Sequence, residues 1–413
     1  MTSALDTGDP GDTGTGDTVS VPTYPFPRTS ALDPSPEYDR LRARCPVAPV
    51  IAPSGDQVLL VTGYEEVRAV LSDPRFSREA TLEPGAPRLA APPQRFKSLL
   101  NLDPPEHARV RRLVSREFTP RRIALLRPRI RERAEALLDA MVANGPPTDL
   151  VRAYSLPLPL SVICELLGVP YEDWTVFTEW SSALLATTGL PPQQVLAGLA
   201  GLRGYMSGLV AAKRAAPGDD LLSALVQSRD QDDGSLDEEE LVYLGISLLM
   251  AGHETTANQV SNSVFALLTR HRALAADLCD PERAPRAVDE LLRLYLPGDE
   301  ALLRIALEDV RLGDTVVPAG AAVLPSVAAA NRDRLQFDDP AECDPDRPSN
   351  PHLAFGHGIH FCLGAGLARA EVEIALGALL RRLPDLRLAV EPESVRRTAG
   401  LLVTGVEALP IAW

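Results

Sequence analysis

Along most of the chain apolar residues return at i, i+3 and i+4 between polar ones, the spacing of helices that turn one face inward. The pattern predicts helices over 120–143, 194–214, 236–270, 282–295 and 364–383. Alternation of period two is scarce. It covers Gln57 to Thr62, after a Gly55-Asp56 turn, and Val310 to Val317, which folds about Gly313-Asp314 as a hairpin. The expected class is mainly α with small β-sheets. Ser235-Leu-Asp-Glu238 reads as a capping box opening the longest helix, each side chain satisfying the other's orphan amide. Running to Arg270, that helix has about 36 residues and a length of about 54 Å, enough to cross a whole domain, so it must be central.

Turn clusters recur from Pro22 onward, but no long Gly/Ser linker and no repeat divides the chain. Residues 23–413 are therefore read as a single large domain. Residues 1–22 differ, because the first 20 hold four Asp and no Lys or Arg. Such a stretch cannot bury enough apolar surface to offset its ordering entropy, and it reads as a disordered acidic tail.

The 413 residues are 45% hydrophobic and 23% charged, the balance of a globular protein. Asp plus Glu number 56 against 41 Lys plus Arg, a formal charge of −15, which argues against broad binding to nucleic acid or to an anionic membrane. The five cysteines, Cys45, Cys164, Cys279, Cys343 and Cys362, are odd in number and far apart. That fits neither a disulfide framework nor a C-x-x-C zinc site, and it points to a reducing cytoplasm. No run reaches the roughly 18 apolar residues of a membrane span, and the acidic N-terminus lacks the basic and apolar regions of a signal peptide.

One cysteine has chemistry in its surroundings. Phe355-Gly-His-Gly-Ile-His-Phe-Cys-Leu-Gly364 is glycine-rich and feeds the amphipathic segment 364–383. At about 100° per residue Leu363, Leu367, Ala370 and Ile374 share a stripe, so a helix begins close to Cys362. Its free N–H groups would surround the sulfur and lower its pKa, making it a nucleophile or a metal ligand. The alternative is a buried structural thiol. Gly364 and Gly366 would let a flat ligand approach the bare backbone, and His357 is read as a solvent-facing loop residue.

FGHGIHFCLG resembles the pattern F-x-x-G-x-[HR]-x-C-x-G of the cytochrome P-450 superfamily, the haem-thiolate monooxygenases. The resemblance implies the cytochrome P-450 fold with haem b as cofactor. It makes Cys362 the axial thiolate to iron, Phe355 the ring packed beside it, Gly364 part of the haem-facing backbone and His360 a donor to a haem propionate. Thiolate ligation in this family favours O–O cleavage.

Three further segments match the same family. Ala251-Gly-His-Glu-Thr-Thr256 resembles its oxygen-activation motif. There Ala251 and Gly252 would border haem, Gly252 would open a groove for dioxygen, Thr255 would hold the distal oxygen, and Glu254 would relay protons. On residues alone Thr255 could instead bond back to the i−4 carbonyl, and His253 and Thr256 are packing or surface residues. His107 and Arg111 lie on the apolar side of the Asp103–Phe118 helix, and buried cations need anions. The resemblance makes those anions haem propionates, with Arg304 joining them. Glu290-Leu-Leu-Arg293 and Arg347 match the family's buried Glu-Arg-Arg network, which supports the haem-binding loop.

The implied activity inserts one atom of O2 into an apolar small molecule by hydroxylation or epoxidation, tailoring a secondary metabolite such as a macrolide or terpenoid. Family comparison puts Leu99, Leu184, Leu248, Leu249, Pro297, Leu302 and Leu402 around the substrate. No dinucleotide fingerprint or iron–sulfur cysteine pattern occurs, so electrons from NAD(P)H would arrive through an external ferredoxin and ferredoxin reductase. Arg109, Arg112 and Arg116 form an outward basic stripe suited to docking that ferredoxin. A peroxygenase and a non-catalytic haem sensor are the alternatives; the intact Glu254-Thr255 pair speaks against the first.

Overall fold

The computed structural model describes residues 21–89, 97–186, 188, 190–231 and 236–413. Among them, thirteen α-helices are formed. The first eight are α1 (Glu37–Arg44), α2 (Tyr64–Ser72), α3 (Glu106–Ser115), α4 (Pro120–Asn144), α5 (Pro157–Leu167), α6 (Trp174–Leu185), α7 (Pro192–Ala215) and α8 (Leu221–Gln231). Then follow α9 (Glu238–Thr269), α10 (Leu274–Cys279), α11 (Ala284–Leu294), α12 (Val327–Ala330) and α13 (Ala365–Arg382). All five helices read from periodicity are present, each within two residues of its expected start.

The acidic tail lies outside the described residues up to residue 20. The boundary at 23 is one residue late, since the Pro22 carbonyl already accepts the Ile51 N–H at 2.9 Å. Ser235 also lies outside them, and the longest helix opens two residues later than the capping box drawn there. Asp237 Oδ1 accepts the Glu240 N–H at 2.6 Å, and Glu240 Oε2 accepts the Asp237 N–H at 2.9 Å. Two overlapping capping patterns compete, and the one whose cap residue is itself an anion at the helix's positive end prevails.

α9 is the central beam. It is buried nearly all round between Leu241 and Leu267, so its polar residues need partners inside the protein. Ser247 and Ser261 donate to carbonyls one turn back, at 2.7 and 3.0 Å. Asn262 and Gln259 donate to the carbonyls of Leu296, just past α11, and Leu291, within it, each at 3.3 Å. α5 and α13 lie directly against it, and α4 backs α13. These contacts are close because glycines remove the obstacles. A Cβ on Gly252 would come 2.7 Å from Ile163 of α5, and one on Gly366 2.8 Å from Ile123 of α4.

α7 is the one described helix with the length and apolarity to cross a membrane, its mean hydropathy reaching 1.4. Much of that is Ala and Gly, while Leu202, Met206 and Val210 pack into the main core.

A five-stranded sheet flanks the helices, in the order Val47–Ile51, Gln57–Val61, Ala322–Pro325, Arg304–Ala306, Phe76–Ser77. Only the second and third strands of that order are parallel. The expected hairpin forms as Val310–Leu312 against Thr315–Val317. The sheet's importance is positional: Ser77 pairs with Ile305, so Arg304 and Arg78 emerge side by side at one edge.

Glu290, Arg293 and Arg347 form the buried network expected of them. Glu290 accepts Arg293 Nε and Nη2 at 2.7 and 2.8 Å and Arg347 Nε at 3.3 Å. Arg293 also donates to the carbonyls of Asn331, Pro340 and Glu342, so every charge is paired or hydrogen-bonded, which burial demands. Asn331 extends the network by donating to Arg293 O at 3.1 Å and accepting the Leu353 N–H at 2.7 Å. Leu353 stands two residues before Phe355, and by this route α11 fixes the base of the cysteine loop.

Candidate active site

The cysteine loop turns at Gly356 and Gly358, whose φ angles are 70° and 71°. A side chain at Gly358 would also meet Leu71 O at 2.5 Å, so both backbone and space require glycine there. Phe355 O accepts the Cys362 N–H at 2.9 Å and closes the loop. The Phe355 ring lies under the Arg369 guanidinium, 4.5 Å from its centre. A Cβ on Gly364 would touch nothing within 4 Å; its bare backbone borders open space, whereas Gly366 serves helix packing.

The Cys362 thiol is open on one side and enclosed by protein on the others. Burial pushes its pKa up, outweighing the Gly364 N–H bond and the Arg111 and Arg369 charges that lower it. The lowered pKa expected from the sequence is thus corrected. α13 begins at Ala365, three residues past the sulfur, too far to ring it with N–H donors.

Beside the loop, basic groups converge with little to neutralise them. The rings of His107 and His360 stand 4.4 Å apart, and neither Nε2 has a partner among the described residues. Burial pushes His360 down to about 3, helped by the positive charges of His107, Arg304, Arg78 and Arg111. Arg304 is driven to about 10 and Arg78 to about 9, in both cases mainly by burial, with Asp103 opposing. Arg111 Nη2 donates to Phe361 O at 2.7 Å, tying α3 to the cysteine loop. Arg78 was not picked out from the sequence. It belongs to no helix pattern, and only the pairing of Phe76–Ser77 with the Arg304 strand reveals it.

Two connected cavities run from this cluster along α9. One of about 240 Å³ is lined by Arg78, Arg304, His360, His357, Phe355, Pro297, Leu302, Leu402 and Thr255. The other, about 410 Å³, shares Arg78, Thr255, Leu302 and Leu402 and adds Leu184, Val195, Ser247, Met250 and Ala251. His357 therefore lines a cavity and does not simply face solvent. Thr255 Oγ1 donates to Ala251 O at 2.8 Å, which leaves its lone pairs facing the cavities. Glu254 points elsewhere and accepts Ser182 Oγ at 3.1 Å; burial raises its pKa. His253 and Thr256 are buried packing residues.

The cytochrome P450 family profile matches residues 284–401. The mycinamicin IV hydroxylase/epoxidase of Micromonospora griseorubida is 46% identical over 94% of this chain and 98% of its own length. The chain belongs to the cytochrome P450 family. Cytochrome P450 monooxygenase PikC of Streptomyces venezuelae is also 46% identical, over 93% of this chain and 92% of its own. A crystal structure of the putative thioether synthase SgvP, involved in the tailoring step of griseoviridin, superposes with a TM-score of 0.92 at 47% identity. It covers 95% of this chain and 100% of that one. This P450 is accordingly a monooxygenase of the haem-iron class, working with substrate, O2 and redox partners.

Its residues fit haem. The two unpartnered His Nε2 atoms and the underneutralised Arg78 and Arg304 want a pair of carboxylates, since buried positive charge is costly unless matched. The accessible thiol and open backbone at Gly364 suit an iron-centred flat ring.

The substrate-side expectations need partial correction. Leu184, Pro297, Leu302 and Leu402 line the cavities. Leu99 and Leu249 are buried in the helical core and Leu248 packs against it; instead Leu100 and Ser98, with Ser247, Met250 and Ala251, face inward. The cavity face of α9 is thus 247, 250, 251 and 255, and the expected Leu248 and Leu249 lie off it, because a helix buried nearly all round carries no amphipathic phase to read. Gly252 opens no groove, since its bare face receives Ile163.

Proposed function

We propose that this P450 inserts one oxygen atom from O2 into an apolar small molecule, by hydroxylation or epoxidation, and tailors a secondary metabolite such as a macrolide or terpenoid. The observation that carries the reading is the shared cavity wall, where the Thr255 hydroxyl faces Leu184, Val195, Met250, Leu302 and Leu402. Relatives that hydroxylate or epoxidise mycinamicin IV, or take part in tailoring griseoviridin, support the substrate class.

Haem, when bound, would supply the oxygen activation, with Cys362 as its thiolate ligand. His107, Arg111, Arg304 and His360 would hold its propionates, and Phe355, Ala251 and Gly364 would border its ring. Thr255, its proton committed to Ala251 O, presents an acceptor to the cavity. Glu254 holds a proton in reserve, because burial keeps its carboxyl neutral to higher pH than usual. Glu290, Arg293 and Arg347 hold the loop and touch no substrate. Electrons come from NAD(P)H through a ferredoxin and its reductase in the cytoplasm, as the chain carries no redox-partner motif of its own.

The test is turnover of haem-loaded protein with ferredoxin, reductase and 18O2, on compounds selected by their shift of the haem absorption band. One 18O per product supports the reading. Product without label, or equal turnover with peroxide and no reductant, overturns it.

A further inference from the structure

Glu254 sits next to Thr255 in sequence but is turned away from the cavity, toward α6. Its Oε1 accepts Ser182 Oγ at 3.1 Å, with Ser181 Oγ 3.5 Å away. His253 Nε2 lies 3.9 Å from the same oxygen. That ring is fully buried, anchored through Nδ1 to Leu249 O at 2.7 Å and held neutral by a pKa of about 4. No positive charge is paired with Glu254 among the described residues; hydroxyls alone hold it.

The two serines differ in what lies behind them. Ser181 is buried and gives its proton to Thr178 O at 3.1 Å. Ser182 is half-buried and lines a groove of about 730 Å³ between α6, α7 and the 398–407 loops, open to solvent and edged by Glu179 and Glu407. A hydroxyl that touches water on one side and a carboxyl on the other can take a proton while giving one up.

We propose that Ser182 is the positioning residue of a proton inlet that leads from the α6–α7 groove to Glu254. Glu254 releases its proton toward Thr255; Ser182 then gives its own to the vacated Glu254 Oε1 as a groove water gives a proton to Ser182 Oγ, and bulk water restores the one withdrawn. This deepens the monooxygenase reading and rests on it.

The test compares Ser182→Ala and Ser182→Thr with the parent holoprotein, using plant-type ferredoxin reduced by its NADPH-dependent reductase and no organic substrate. It follows the solvent deuterium isotope effect and the share of reduced O2 released as peroxide. Infrared spectroscopy reads the Glu254 carboxyl band, assigned by its loss in Glu254→Gln. In Ser182→Ala the band shifts, the peroxide share and isotope effect rise, and reduction of O2 to water falls about tenfold, less than the roughly hundredfold of a general acid itself. Ser182→Thr restores all of these. An unchanged isotope effect and peroxide share in Ser182→Ala overturns the inlet, even where the carboxyl band moves. Failure of the parent to reduce O2 would instead count against the monooxygenase reading.

Discussion

His107 of α3 and His360 of the cysteine loop face each other at 4.4 Å, and each leaves its Nε2 without a partner among the described residues. Burial lowers the pKa of both rings, helped at His107 by Arg111 and at His360 by His107, Arg304, Arg78 and Arg111. The arrangement makes sense for a ligand that brings two carboxylates to the Arg78 and Arg304 side of the loop.

Arg78 is the sharpest consequence. Its Nε donates to Leu100 O at 3.0 Å and another nitrogen to Leu303 O, so carbonyl dipoles hold a buried cation in place. Arg78→Ala should lose haem to apomyoglobin roughly ten- to a hundredfold faster, the effect of one charge-assisted hydrogen bond of roughly 1.5–3 kcal/mol. Haem loss at the parent rate would remove Arg78 from the cofactor site.

Cys362→Ser should bind haem yet lack the roughly 450 nm band of the reduced carbon monoxide complex, because a neutral hydroxyl does not donate charge as a thiolate does. A retained band would mean that another residue ligates the iron.

What the sequence made legible was chemistry with local spacing. Cys362, Glu290, Arg293 and Arg347 stand where their patterns put them, since a ten-residue loop and an i,i+3 ion pair carry their geometry with them. Of the residues expected around the substrate, Leu184, Pro297, Leu302 and Leu402 line the cavities. Arg78 and the α9 face at Ser247 and Met250 depend on a two-residue strand pairing and on the phase of a helix buried on all sides, and neither leaves a periodic trace. Gly252 shows the same limit, as a glycine suited to a ligand groove and one suited to helix contact look identical until Ile163 is in place.

Glu290→Ala should yield little holoprotein. Glu290 is 1% exposed, and removing it strands Arg293 and Arg347, a loss of about 3–5 kcal/mol for an unpaired buried charge. The measurement is the haem-to-protein ratio together with thermal unfolding. Normal loading and an unchanged midpoint would show that carbonyl contacts alone satisfy both arginines.

Thr255→Ala should retain haem and substrate binding while diverting reducing equivalents to hydrogen peroxide, since the cavity loses its α9 acceptor. It also frees the Ala251 carbonyl, so a modest change in stability accompanies the change in coupling. Product formed per NAD(P)H consumed decides the matter, and unchanged coupling would place proton delivery elsewhere.

The docking face for the electron donor needs one revision before it is tested. Arg109, expected to point outward with Arg112 and Arg116, is instead paired with Glu240 in the first turn of α9. Reversing its charge would break that tie and say little about docking. Arg112, on the helix whose Arg111 donates to the peptide just before Cys362, and Arg116, just past its end, are exposed, so they lie on the cysteine side. On a protein of charge −15, a local positive patch there steers an acidic ferredoxin mainly through its association rate. Arg112→Glu and Arg116→Glu should each slow reduction by ferredoxin several-fold at low salt, with the difference vanishing as salt screens it. Dithionite should reduce every variant alike. If the ferredoxin rate and its salt dependence match the parent in both variants, the donor docks on another face and these arginines are solvated surface.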